Sequence, residues 1–273
     1  MAALTRMSFL LTGSRGILGA EILKVLEASP FVDFVAGLPG DINDRAEVQR
    51  FMASEGPFTH LIHAAAVVST DSVSSDLVNA YQTNVIGTGN VVTEFLQSNK
   101  GGHVTYVSSS HVYGSAQTRI SETTRPNPGG SYGRTKFSGE YVADDVSSAF
   151  NGRLCIARLF SLYSDDQTGS FLLPSLKNKV RAAGLGAEIE IRGWNNIRDF
   201  APAEMHARAV AHLACNSLSG IYNVGSGKGQ SVLDFARSQL KFVLVSEEST
   251  RSSDATEIVA DVSKLRSTGF SLD

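Results

Sequence analysis

The stretch Ser8-Phe-Leu-Leu11-Thr-Gly13-Ser-Arg-Gly16-Ile-Leu-Gly19 decides the fold. Its apolar opening, Ser8–Leu11, predicts a buried strand, and the residues from Leu18 to Glu27 predict a helix. Between them stand three glycines spaced GxxGxxG. Gly13 permits the tight turn, Gly16 lets backbone approach a pyrophosphate, and Gly19 allows the helix to pack closely on the strand. The helix N-terminus then faces the anion. A second predicted strand, Phe31–Val35, completes a βαβ unit around this turn.

The same rhythm continues outward. Further strands are predicted at His60–Ala64, His103–Val107 and Leu154–Leu159, and helices at Arg45–Ser54, Asp76–Gln97 and Tyr132–Ser148. Strand and helix in alternation predict an α/β fold, a Rossmann-type doubly wound parallel sheet with ligands at the strands' carboxyl ends. Beyond residue 160 the pattern loosens. Helices are predicted at Phe171–Ala183, Ala203–Asn216 and Ser231–Leu240, strands at Glu188–Arg192 and Ile221–Val224, and a helical piece at Val262–Leu265. The expected division is a dinucleotide-binding domain over residues 1–164, completed by about 199–224. The remainder, 165–198 and 225–273, forms a small C-terminal substrate-binding cap.

Composition narrows the partners. The 273 residues carry 24 Lys and Arg against 27 Asp and Glu. That balance leaves no electrostatic footprint for nucleic acid or an anionic membrane. Neither a membrane-spanning run nor a signal peptide is read in the sequence. Cys155 and Cys215 stand far apart without a CxxC, so neither a disulfide framework nor a metal site is expected, and the expected compartment is the cytoplasm.

Two constellations carry chemistry. Around the glycine turn, the acid that usually meets the cofactor ribose at the second strand's end is missing, since that strand runs into Ala36-Gly37-Leu38-Pro39. Asp33 falls inside the strand. Asp41, beside Ile42, reads equally as an adenine-side contact or as a helix N-cap. Arg15 is a candidate partner for a 2′-phosphate, which favours NADP(H) while leaving NAD(H) possible. Ile17 and Leu18, inside the turn, and Leu159, at a strand end, complete the expected cofactor contacts. In the second constellation, Tyr132 and Lys136 stand at i and i+4 and share a helix face. An ammonium near a phenol favours the phenolate, and such a tyrosine can move a proton at a carbonyl or alcohol oxygen.

Together these residues resemble the extended short-chain dehydrogenase/reductases of the NAD-dependent epimerase/dehydratase type. In pattern they come nearest to nucleotide-sugar 4-keto reductases such as the dTDP-4-dehydrorhamnose reductases and GDP-fucose synthases. The resemblance covers essentially the whole chain. It extends the cofactor contacts to Ala64, Ala65 and Ala66 in His63-Ala-Ala-Ala66 and to Asn84 in Thr83-Asn-Val-Ile-Gly-Thr88. Counting back from Val112-Tyr113-Gly114, it places the catalytic Ser/Thr at Ser109, the acid/base at Tyr132, and the ribose-binding lysine at Lys136. Ser110, Ser161, Arg198 and Arg251 are the substrate-binding residues it implies, the two arginines at a nucleotide diphosphate. It also implies a homodimer through the helices predicted at 76–97 and 132–148.

Two departures shape the expected reaction. Ser110-His111 stand where the 4,6-dehydratases carry Asp-Glu, which disfavours dehydration. The glycine turn and the short passage to Asp41 follow the reductases. The expectation is therefore an NADP(H)-dependent oxidoreductase that reduces the 4-keto group of a nucleotide-activated sugar. The alternatives are a nucleotide-sugar 4-epimerase with tightly bound NAD and a non-catalytic NADP sensor. His63 is read as a packed core residue, and Trp194 as either a sugar-site residue or part of a surface turn.

Overall fold

A computed structural model describes residues 6–114, 119–184, 188–191, 193–240, 244–245 and 256–272. The first half alternates β1 (Met7–Thr12), α1 (Ile17–Glu27), β2 (Val32–Gly37), α2 (Arg45–Glu55) and β3 (His60–His63). It continues through α3 (Thr70–Ser75), α4 (Leu77–Tyr81), a π-helical stretch Gln82–Gly87, α5 (Thr88–Ser98), β4 (His103–Ser109), α6 (Ser131–Ala149) and β5 (Arg153–Leu159). Then come β6 (Ser161–Tyr163), α7 (Leu172–Ala183), β7 (Glu188–Ile189), β8 (Ile197–Arg198), β9 (Phe200–Pro202), α8 (Ala203–Cys215) and β10 (Gly220–Val224). The described chain closes with β11 (Gln230–Ser231), α9 (Val232–Gln239), β12 (Leu244–Val245), β13 (Glu257–Ile258) and α10 (Ser263–Ser267).

Six parallel strands form the main sheet in the order β2-β1-β3-β4-β5-β10. The chain leaves β1 in one direction for β2 and returns to its other side for β3. This reversal opens a crevice at the strands' carboxyl ends, where ligands of such sheets bind. The two-residue period of β1 splits its side chains between two cores. Phe9 and Leu11 pack with Ile22 and Leu26 of α1 and with α8, whereas Leu10 packs with α2 and α5 through Val48, Met52 and Phe95. β3 and β4 are buried along their whole length, as a parallel sheet covered on both faces requires.

The helix predicted over 76–97 is interrupted. Asp76 caps α4 by accepting the Asn79 N–H, and Ser69 caps a further helix, α3. The π-helical turn then rotates Asn84 inward, where both ends of its amide find partners. Trp194 is off the cavity wall and lies in a turn, as the second of its two readings expected, but half-buried. It packs on the cap's small core of Leu176, Ile189, Ile191, Val232 and Ala236.

The cap is tied down by the chain's last described segment. β8 lies between β11 and β13, and Ile120 exchanges hydrogen bonds with Val259 and Asp261, both at 2.8 Å. Among the described residues no helix is long and apolar enough to cross a membrane.

At the opposite end of the sheet from the crevice, His60 and His103 are register partners on β3 and β4 with ring centroids 5.4 Å apart. His60 bonds Thr59 Oγ1 (2.8 Å) and Ser217 Oγ (2.9 Å), and His103 bonds the Leu218 carbonyl (2.7 Å). Burial, then His103 and Arg153, push His60 down to about 4, and burial lowers His103 as well. The unfolded chain thus binds more protons than the folded one below the ordinary histidine range. Stability is complete above about pH 6.5 and falls as the pH drops toward 4. Urea midpoints at pH 7 and pH 5 should differ, with the lower value at pH 5, and His60→Gln should shrink the difference.

Candidate active site

One cavity of about 880 Å³ spans the crevice, running from the glycine turn after β1 to the cap. The turn is built as its glycines require. Gly13 has φ +71°, and a Cβ there would meet the Ala65 nitrogen at 2.7 Å. A Cβ at Gly19 would stand 2.0 Å from the Gly13 carbonyl oxygen. No side chain caps α1, and no acidic residue lies in its first turn. Its free N–H groups and positive dipole end therefore face the cavity, a cradle suited to a pyrophosphate. Gly19→Ala should push the helix off the turn at Gly13 and Ser14 and weaken NAD binding at least about tenfold, as read by titration. Wild-type affinity in that variant would refute the packing account.

Hydrogen bonds lock the crevice between β1 and β3. The Ala65 N–H donates to Thr12 Oγ1 (3.2 Å), whose hydroxyl meets His63 Nδ1 at 2.7 Å. His63 Nε2 meets Thr88 Oγ1 at 3.0 Å, and Thr88 donates to the Asn84 carbonyl at 2.8 Å. Burial pushes His63 down to about 3, with Lys136 adding to the effect, so it is a neutral connector in the core. Asn84 accepts the Val67 N–H (2.7 Å) and donates to the Val67 carbonyl (2.9 Å) and Thr135 Oγ1 (3.0 Å). It fixes the loop after β3 from behind and is not on the cavity wall.

The predicted residues otherwise converge. Gly13, Arg15, Gly16, Ile17, Leu18 and Gly19 line one end of the cavity, with Asp41 and Ile42 beside them. Ala64, Ala65, Ala66 and Leu159 line its middle. Ser109, Ser110, Tyr132, Lys136, Ser161 and Arg198 line the part beneath the cap. Arg251 lies outside the described residues. The Asp41 carboxylate accepts the Asn43 N–H at 2.9 Å, and the helix cap is Asp44.

At the reacting end, Ser109 terminates β4. Its Oγ accepts the backbone N–H of His111 at 3.2 Å and lies 3.1 Å from His111 Nδ1. Tyr132 stands in the first turn of α6, hydrogen-bonded to Ser109, with the His111 ring edge-on at 5.3 Å. Burial pushes the Tyr132 phenol up to about 12, and the Ser109 hydrogen bond opposes this. The expected lowering by Lys136 is not found: burial and Ser109 account for the shift. Lys136 Nζ lies over the Tyr106 ring, 4.3 Å from its centroid, and burial pushes the amine down to about 7 against the pull of Glu140. Glu140, one turn on, accepts from Ser108 Oγ (2.5 Å) and from Arg158 Nε (2.9 Å) and Nη2 (2.6 Å).

Arg198 donates to the Thr256 carbonyl (2.7 Å) and Oγ1 (2.8 Å), which fixes its guanidinium at the cavity wall. Sequence reasoning missed the apolar wall of the cap. Phe200 stacks on Phe235 at 3.9 Å, Tyr163 meets Phe235 edge-on at 5.1 Å, and Phe171 and Val232 adjoin them. These residues come from four separated segments, so no single run of sequence marks the wall.

Known proteins resemble this chain in sequence and in fold. A UDP-glucose 4-epimerase of Rhizobium leguminosarum bv. trifolii is 28% identical over 221 residues, 74% of this chain and 67% of that protein. The NAD complex of UDP-glucose 4-epimerase from Thermus thermophilus superposes with a TM-score of 0.82 at 22% identity, covering 98% of this chain and 94% of that one. RMD from Pseudomonas aeruginosa with NADPH also gives 0.82, at 20% identity, covering 96% and 92%.

These findings overturn two expectations. The 4-keto reductase gives way because the similar curated proteins are UDP-glucose and UDP-arabinose 4-epimerases. The preference for NADP(H) gives way because NAD complexes outnumber the NADPH complex among the similar structures. Locally, Arg15 lines the cavity and its Nη2 donates to the Pro39 carbonyl at 2.5 Å, which ties the glycine turn to the segment after β2. With residues 9–225 matched to its model, this chain belongs to the NAD dependent epimerase/dehydratase family.

Proposed function

We propose that this chain is a 4-epimerase of nucleotide-activated sugars, UDP-sugars in the first place, that works with NAD. The observation that carries the oxidoreductive chemistry is the convergence of Ser109, Tyr132 and Lys136 at one end of a cavity whose other end is the glycine turn, and epimerisation rather than reduction is taken from the relatives. The similarity to UDP-sugar 4-epimerases supports it. The dinucleotide belongs to the sheet portion, residues 1–164 with about 199–224. The sugar nucleotide belongs to the cap formed by 165–198 and 225–273.

The free N–H groups of α1 hold the pyrophosphate. Ala64, Ala65, Ala66 and Leu159 flank the cofactor's path, and Lys136 holds the ribose. NAD, when bound, supplies the hydride acceptor and donor and a positive charge that favours the Tyr132 phenolate. Tyr132 takes the proton from the sugar's 4-hydroxyl and returns it to the same oxygen after the sugar has presented its other face. Ser109 hydrogen-bonds that oxygen throughout. Ser110, Ser161 and Arg198 hold the remainder of the sugar nucleotide.

The test is to incubate NAD-loaded protein with UDP-glucose and, separately, with UDP-arabinose, and follow the sugar protons by NMR. A mixture of 4-epimers with no net change in cofactor is expected. Net oxidation of NADH or NADPH by a 4-keto sugar, without interconversion, would overturn the reading.

The same reading includes a homodimer. Leu77, Val78, Ile86 and Tyr141 are exposed on α4, the π-helical turn and α6, with Val78 81% exposed. An apolar cluster of that kind is what a partner subunit covers. Light scattering at micromolar concentration should give twice the chain mass, and a monomer would refute this part.

A further inference from the structure

His111 lines the cavity, and its ring lies against both groups of the proposed proton chemistry. Nδ1 is 3.1 Å from Ser109 Oγ, and the ring edge meets Tyr132. A serine hydroxyl has two acceptor positions and one hydrogen. The backbone N–H of His111 already fills one acceptor position of Ser109. If Nδ1 accepted from Ser109, the serine would have no hydrogen left for a substrate oxygen. If Nδ1–H donates, both acceptor positions are filled and the hydroxyl hydrogen is directed to Tyr132 and the space beside it.

We propose that His111 is the positioning residue of Ser109, donating from Nδ1–H to Oγ so that the serine presents its hydrogen to the reacting sugar oxygen. The assignment rests on the epimerase reading for the identity of that oxygen, but not for the hydrogen bond itself. Ser110-His111 thus do more than remove the acidic pair of the dehydratases: the histidine takes up a role through its neighbour two residues back. Burial and Arg198 lower the His111 pKa, in keeping with a neutral ring whose single proton must be placed on one nitrogen.

Two measurements test this. In the NAD-loaded protein with 15N-labelled histidine, the imidazole nitrogen spectrum of His111 should show the proton on Nδ1. A proton on Nε2 alone overturns the proposal, whatever the enzyme's reaction proves to be. In kinetics, His111→Phe keeps the ring against Tyr132 but loses the donor, and should lower kcat about tenfold while KM stays within about twofold. His111→Asn, whose Nδ2 can take the place of Nδ1, should restore most of kcat. On a Ser109→Ala background His111→Phe should cost nothing further. Unchanged kcat in His111→Phe, or a full additional loss on the Ser109→Ala background, overturns the positioning role. Absence of epimerisation by the wild-type protein would instead sink the reading of the site and leave the NMR result to decide the hydrogen bond.

Discussion

Tyr132→Phe is expected to reduce turnover about a thousandfold while NAD titrates as in the wild type. The phenol oxygen is the only atom removed, and the ring keeps its place against His111. Ser109 and the glycine turn are untouched, so cofactor binding has no reason to change. The remaining hydroxyl of Ser109 can hold a sugar oxygen but cannot ionise in the accessible range. Loss of NAD binding together with activity would mean that Tyr132 serves the fold. Unchanged turnover would remove it from the chemistry altogether.

The second large effect concerns stability. Glu140→Ala should lower the unfolding free energy by about 3–5 kcal/mol, on the order of 10 °C in Tm. Glu140 and Arg158 are both nearly inaccessible, and their contacts of 2.6 and 2.9 Å form a two-pronged pair. Removing the carboxylate strands a guanidinium whose Nη1 already has no partner among the described residues. It also strips Lys136 of the one charge that raises its pKa. The amine should then lose its proton at lower pH, and the alkaline limb of the activity profile should move down in the same variant. Stability within about 1 kcal/mol of the wild type in urea would show that the pair is replaceable.

What the sequence disclosed was whatever depends on neighbours along the chain. Gly13 and Gly19 were legible because a tight turn and a close helix–strand contact have no other residue that fits. Tyr132 and Lys136 were legible because four residues make one helical turn. The direction of the Tyr132 pKa was not, since it follows from burial, which outweighs the opposing hydrogen bond of Ser109, distant in sequence. The Arg15 hydrogen bond to the Pro39 carbonyl was hidden for a similar reason, since its partner lies 24 residues on. The π-helical turn at Gln82–Gly87 carries a helix-like pattern, and only the tertiary partners of Asn84 show that the register slips there. Reductase and epimerase share the same proton-transfer residues, so the choice between them could not come from those residues.

The order of the strands has a consequence for how the protein is made. β5 ends at Leu159, but its neighbour β10 begins only at Gly220. During synthesis, at about 5–20 residues per second, the hydrogen-bonding edge of β5 waits several seconds for its partner to leave the ribosome. The Arg198 anchor at Thr256 arrives later still. A nascent chain stalled near residue 200 would thus display a sticky, half-built sheet with its cofactor cradle formed and its substrate end unfinished. That is the stage at which misassembly and chaperone capture would be concentrated.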